Sequence, residues 1–269
     1  MALAPAPARP DRPLLADVLR SEWTKLRSVR STYWTLLAAA AATIGLGAIL
    51  CSVYASHYSH LSLQDRARFN AASFSLSGIM LAQLAIGVLG VLVMTSEYST
   101  GMIRATFAAT PQRRLVLGAK AAVFAGVTVV IGVASCFAAF FAGQAILSGH
   151  HLQTTIGAPG VLRAVVGGGL YLAVLGLLSL GLGTLIRHTA GAIAAVFGLI
   201  LVLPGIVGAL PSSWANAIGP YLPSTAGQAV FHVGFRFHEL APWPGFGVFC
   251  AYAAAALLGA ALVLSRRDA

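Results

Sequence analysis

The sequence predicts an all-α polytopic membrane protein. It should have six transmembrane helices, a cytoplasmic N-terminal amphipathic helix, and short re-entrant or interfacial helices before the last span. Composition is the first ground: the chain is 58% hydrophobic and 9% charged, whereas about a quarter of a soluble domain is charged. Its mean hydropathy is +0.84. Patterning is the second: six apolar runs, near 33–54, 74–94, 116–147, 161–186, 190–210 and 244–264, each reach the roughly 20 residues a helix needs to cross hydrocarbon. They lack the alternation of barrel strands. Charge placement is the third. With the N-terminus inside, all but Arg66, Arg68, Arg163 and Arg236 of the 17 Lys and Arg fall on the inner side. This positive-inside asymmetry makes the net charge of +10 a topology signal, with no nucleic acid implied. The expected location is the cell membrane, with both termini cytoplasmic.

Two parts follow: a cytoplasmic tail over 1–32 and a single six-helix transmembrane domain over 33–269. No cleavable leader is evident, because the first apolar run starts only near Tyr33 and is full length. Residues 1–13 are Ala/Pro-rich and are expected to be disordered. Over 14–30, Leu15, Val18, Leu19, Glu22, Trp23 and Leu26 recur at helical spacing, all apolar except Glu22. Such a helix suits a membrane surface, with Trp23 at headgroup level and Arg20, Lys25, Arg27 and Arg30 near anionic lipid. Tyr33 and Trp34 mark the interface where the first span begins.

The third run is long for one crossing, so its ends should project or tilt. The fourth is rich in glycine, from Gly167 to Gly183, which suits close helix packing in lipid. Arg187-His188 makes a tight inner turn to the fifth. Residues 204–243 are broken by Pro204, Pro211, Pro220, Pro223, Pro242 and Pro244 and read as short helices on the outer face.

Several chemistries are disfavoured. Ionisable groups are nearly absent from the spans, Lys120 and Arg163 lying at their ends, which argues against a carrier coupled through membrane carboxylates. No Gly-x-x-x-x-Gly-Lys-Ser/Thr loop occurs, so ATP-driven work requires another polypeptide. Nucleophile elbows and paired catalytic carboxylates are missing as well, and the chain reads as no enzyme. Cys51, Cys136 and Cys250 fall within apolar runs and read as packing residues. Six of the seven histidines fall outside; His57 and His60 share a helix face, but loop solvation fits them better than a metal.

The most patterned segment is Glu97–Arg114. If it is helical, Glu97, Gly101 and Arg104 share one side, with Gly101 leaving a gap between the two charges. Thr110-Pro111 reads as the cap and first-turn proline of the third helix. Arg113 and Arg114 then sit in its first turn, where the dipole disfavours cations, so lipid, topology or an acidic partner must account for them.

Ser21-Glu22-Trp23-Thr24-Lys25-Leu26-Arg27-Ser28, Glu97-Tyr98-Ser99-Thr100-Gly101-Met102-Ile103-Arg104 and Pro111-Gln112-Arg113-Arg114, in this order and topology, resemble the permease subunits of type-2 ABC exporters. The closest likeness is to those of high-GC Gram-positive bacteria. The resemblance implies a pair of permeases, as a homodimer or with a sister chain, each engaging a separate cytoplasmic ABC ATPase. That ATPase would hold the ATP and Mg, with no cofactor in this chain. It also implies ATPase-coupling positions at Glu22, Trp23, Lys25, Glu97, Gly101 and Arg104, and an outer gate in the short helices before the last span. The alternative is a non-transporting sensor or immunity protein that binds an antibiotic or lipid.

Overall fold

The computed structural model describes residues 15–58, 62–67, 69–110, 112–234 and 239–266. The tail 1–13, His60, Arg68, Pro111, Arg236 and His238 lie outside them. Every described regular element is helical. The amphipathic segment forms α1 (Leu15–Ser28), and the extended backbone of Val29 turns the chain into α2 (Arg30–His57). Two short helices, α3 (Leu63–Ala67) and α4 (Ala71–Ser75), follow. Then come α5 (Ile79–Ser99), α6 (Met102–Ala109), α7 (Arg113–Ser148) and α8 (Val161–Ile186). The fifth crossing is composite: α9 (Thr189–Phe197), a π-helical turn over Gly198–Val202, and α10 (Leu203–Gly208). After α11 (Ser212–Ile218) and α12 (Pro223–Gln228), the last crossing is α13 (Pro242–Arg266). Six helical stretches are long and apolar enough to span, and the chain is a multi-pass membrane protein.

The third crossing has 36 residues, or about 54 Å at 1.5 Å per residue, so it overreaches a hydrocarbon core of about 30 Å. The π turn precedes Pro204, which has no N–H and would clash with the carbonyl four residues back. Widening the helix there relieves that clash.

At the centre stands α8, with 72% of its most apolar window buried, whereas only 22–28% is buried in α2, α9–α10 and α13, at the rim. Glycine is what lets α8 occupy that position. A Cβ on Gly169 would stand 2.5 Å from the Val133 backbone nitrogen on α7, and one on Gly181 would stand 2.9 Å from the Ala256 backbone on α13. Dispersion at such short separations holds helices together where lipid removes the hydrophobic drive. One buried polar pair adds direction: the Tyr171 hydroxyl donates to Gln83 Oε1 at 2.6 Å, joining α8 to α5.

The stretch before the last span is built as short helices, and α12 is folded into the bundle. Tyr171 stacks on Phe249 and meets Phe231 edge-on, each at 5.2 Å. Arg163, at the start of α8, donates from Nη1 to the Val230 carbonyl and from Nη2 to the His232 carbonyl, both at 2.9 Å, and more weakly to Ala229. One guanidinium thus satisfies carbonyls just beyond α12 that no helix continues to pair. Arg163→Gln is expected to lower stability by about 2–3 kcal/mol, the scale of losing charge-assisted bonds, and to open 229–234 to protease. An unchanged melting curve and cleavage pattern would refute this anchoring role.

The cysteines are free thiols: Cys51 and Cys136 are buried and Cys250 is half-buried. Among the described histidines, His232 Nδ1 lies 3.1 Å from Glu239 Oε2. No group of three potential metal ligands occurs among the described residues.

Candidate functional site

Five segments converge at one end of the bundle: α1, the end of α5, α6, the start of α7 and the end of α13. Within them, the stripe of α1 explains its own exception. Glu22 occupies an apolar-face position and is 3% exposed, because that face packs against α7 and the carboxylate finds cations there. Its Oε1 accepts from Lys25 at 2.7 Å and its Oε2 from Lys120 at 2.5 Å. Glu97 Oε1 accepts from the same two ammonium groups, at 3.3 Å from Lys25 and 2.7 Å from Lys120. The result is a closed ring of alternating charge, Glu22–Lys25–Glu97–Lys120, contributed by α1, α5 and α7. Both lysines of the chain are spent on it.

The ring is largely dry. Side-chain exposure is 3–5% for Glu22, Glu97 and Lys120, and 29% for Lys25. Burial alone would lower the Lys25 pKa; the hydrogen bond and charge of Glu22, then those of Glu97, outweigh it and raise the pKa above its ordinary value. Its contribution to docking α1 is therefore fully present at neutral pH and is lost only as pH rises through that raised pKa. Burying ions is costly, but two positive and two negative groups at hydrogen-bond distance offset one another. Among the described residues, Glu97 Oε2 has no hydrogen-bond partner. Glu97 also lines a cavity of about 150 Å³, with Ser31, Thr32, Ser96 and Met102.

The helical face drawn through Glu97, Gly101 and Arg104 does not form. Gly101 adopts the left-handed conformation, φ 72°, which ends α5 and starts α6 in a new direction. Glu97 therefore points into the ring, while Arg104 stands exposed on α6 with no side-chain partner among the described residues. On α6, Ile103 and Phe107 pack inward at helical spacing. Between them Thr106 Oγ1 accepts from Lys25 at 3.2 Å, so the outward helix is tied to the ring.

The cap reading at Thr110 is also corrected. Thr110 closes α6 in extended backbone (φ −133°, ψ 91°), as a residue before proline prefers, and α7 opens at Arg113 after Gln112. Arg113 and Arg114 do lie in the first turn, and internal contacts account for them. Arg113 Nη1 donates to the Leu264 carbonyl at 3.0 Å and its guanidinium covers the Phe107 ring at 5.3 Å. Arg114 Nη2 donates to Ser265 Oγ at 3.3 Å. Arg113 thus satisfies one terminal carbonyl of α13, and the two arginines together pin that end to α7.

Of the six sequence candidates, Glu22, Lys25 and Glu97 meet in one ring, Gly101 is the turn, and Arg104 and Trp23 remain at the surface. Lys120 and Thr106 were missed as members of the site. A lone ammonium on an otherwise apolar helix, in a chain with two lysines, was the available signal for Lys120; Thr106 offered none.

The family model described as ABC-2 family transporter protein matches residues 18–205, from α1 into the fifth crossing. No curated protein matches the chain. The match includes every residue of the charge ring and all of α6, and it covers well over half the sequence. The chain belongs to the ABC-2 transporter family.

Proposed function

We propose that this chain is the permease subunit of an ATP-driven exporter, with the ring end of the bundle in the cytoplasm and docked on a separate ATPase. Family membership implies an ABC ATPase partner. The positive-inside distribution supports a cytoplasmic ring end and a cell-membrane location. The observation that carries the reading is the link from surface to spans. The exposed face of α6, with Met102 and Arg104, is joined through Thr106 and Lys25 to a buried ring gripping α1, α5 and α7. A push on α6 is thereby delivered to the feet of two spans and to the surface helix together.

In this reading Arg104 faces the partner, Gly101 sets the angle of α6, and Trp23 seats α1 at the membrane surface. Glu22, Lys25 and Glu97, with Lys120, transmit the motion. ATP and Mg belong to the ATPase. A second permease, identical or a sister chain, completes the pathway, and the segment clamped by Arg163 gates its outer mouth.

The test is co-expression with candidate ABC ATPases of the same genome, followed by affinity capture and ATPase assay. Arg104 is exposed and unpaired among the described residues, so Arg104→Glu is expected to leave the melting curve unchanged. Permease-stimulated ATPase activity should fall by about tenfold or more, the loss expected when a charge at an interface is reversed. Undiminished capture and stimulation by Arg104→Glu would rule out α6 as the docking element.

A further inference from the structure

The elbow between α1 and α2 holds two adjoining apolar hollows that ATPase docking does not use. One, of about 540 Å³, is walled by Trp23, Leu26, Leu36, Leu37 and Val127, with Arg27 at its rim. The other, of about 460 Å³, lies along α7 between Ala122 and Ile131 and includes Gly126. Trp23, Val127 and Ile131 belong to both and so lie along their common boundary, Trp23 being the one contributed by α1. Trp23 itself is 48% exposed despite its place on the apolar stripe, so the stripe is left incompletely covered by protein.

Charge and depth select what covers it. Glu22 and Lys25 neutralise each other within the ring, whereas Arg20, Arg27 and Arg30 are exposed and make no side-chain pair among the described residues. The mouth of the elbow is thus a patch of unsatisfied positive charge. Trp23, Tyr33 and Trp34 are all exposed there, the residues that settle at headgroup level. From Thr32 to Ala40 the first hollow follows α2 for eight residues, about 12 Å toward the hydrocarbon at 1.5 Å per residue. A cationic mouth at the headgroups above two apolar slots calls for an anionic head with two tails.

We propose that the α1–α2–α7 elbow is a binding site for one anionic diacyl phospholipid of the leaflet facing α1. Its phosphate pairs with Arg27, and its two acyl chains lie on either side of Trp23. The bound lipid completes the apolar face of α1 and makes the seating of that helix depend on the charge of the membrane. This rests on the reading above only for the placement of α1 at the membrane surface.

The experiment is native mass spectrometry of the purified chain with equal amounts of phosphatidylglycerol and phosphatidylcholine of matched tails, and with lysophosphatidylglycerol. Wild type is expected to retain one phosphatidylglycerol over phosphatidylcholine by about fivefold, the factor one surface cation gives near anionic lipid. Arg27→Gln should abolish that preference while still retaining lipid. Gly126→Trp fills the second hollow. A Cβ at Gly126 meets nothing within 4 Å, so the variant should fold, lose the diacyl lipid and keep the lyso form. The proposal is overturned if wild type retains no lipid, shows no headgroup preference, carries a polypeptide in the elbow, or if Gly126→Trp holds diacyl lipid as wild type does. ATPase stimulation on the same preparations separates the two readings. Lipid loss in Gly126→Trp with Arg104→Glu still uncoupled supports both, whereas retained lipid preference with coupling intact in Arg104→Glu sinks the docking reading alone.

Discussion

Lys120→Met should destabilise the protein by about 3–5 kcal/mol, the cost of removing one partner from a buried ion pair. The substitution keeps the length of the side chain and removes only the charge, so packing against α1 is nearly conserved. What remains is Glu22 Oε2 without its donor and a Glu97 carboxylate held by the half-exposed Lys25 alone. The ring then carries one excess negative charge in a site where both carboxylates are 3–4% exposed. Lys25→Met should cost less, because 29% exposure lets water solvate the ring from that side. Thermal melting in detergent reads the stability, and trypsin cleavage at Arg20 and Arg27 reads the release of α1. Adding Glu22→Gln to Lys120→Met should recover part of the loss, since two charges leave together. If Lys120→Met melted and cleaved like wild type, the ring would be decoration on a helix held by other contacts.

The second large effect concerns two backbones in direct approach. A Cβ on Gly78 would lie 2.2 Å from the Thr43 carbonyl oxygen and 2.5 Å from that of Ala42. Both obstacles are main chain of α2, so no side chain can rotate away, and either α2 or the start of α5 must shift. Gly78→Ala is expected to cost about 1–3 kcal/mol, the range for forcing extra volume into a packed site. Gly45 supplies the control: it lies on the same helix as Thr43, and its added Cβ meets nothing within 4 Å. Gly45→Ala should therefore be neutral or stabilising by up to about 1 kcal/mol through helix propensity. Equal melting shifts for the two alanines would show that α2 and α5 do not meet as described.

The parts of this molecule that could be read in advance are those written in local composition. Six crossings were visible as uninterrupted apolar runs, and the structure moves none of their boundaries by more than five residues. The amphipathic helix was visible as a stripe, and Glu22 as the one residue that broke it. What could not be read depends on dihedral angles or on distant partners. Spacing put Glu97 and Arg104 on one face because periodicity carries no information about φ, and the left-handed turn at Gly101 undid that face. Arg113 and Arg114 looked like charges in search of a partner because the groups they bind, the Leu264 carbonyl and the Ser265 hydroxyl, each lie 151 residues on. Lys120 was noted as a lone cation, yet its two carboxylates come from residues 98 and 23 positions away. The widened turn before Pro204 and the brief α3 and α4 leave no periodic trace long enough to detect.

The 98-residue separation of Glu22 and Lys120 also imposes an order of events during synthesis. Ribosomes add about 5–20 residues per second, so Glu22 emerges about 5–20 s before its buried counter-ion exists. Through that interval the first helix has no neutral seat in the bundle and must wait in water or among headgroups with its carboxylate hydrated. Seating of the N-terminal helix is therefore a record that the third crossing has entered the membrane in the right direction. A chain that inserted that crossing upside down would strand the ammonium on the opposite side and leave the helix loose, exposed to whatever quality-control protease patrols the surface.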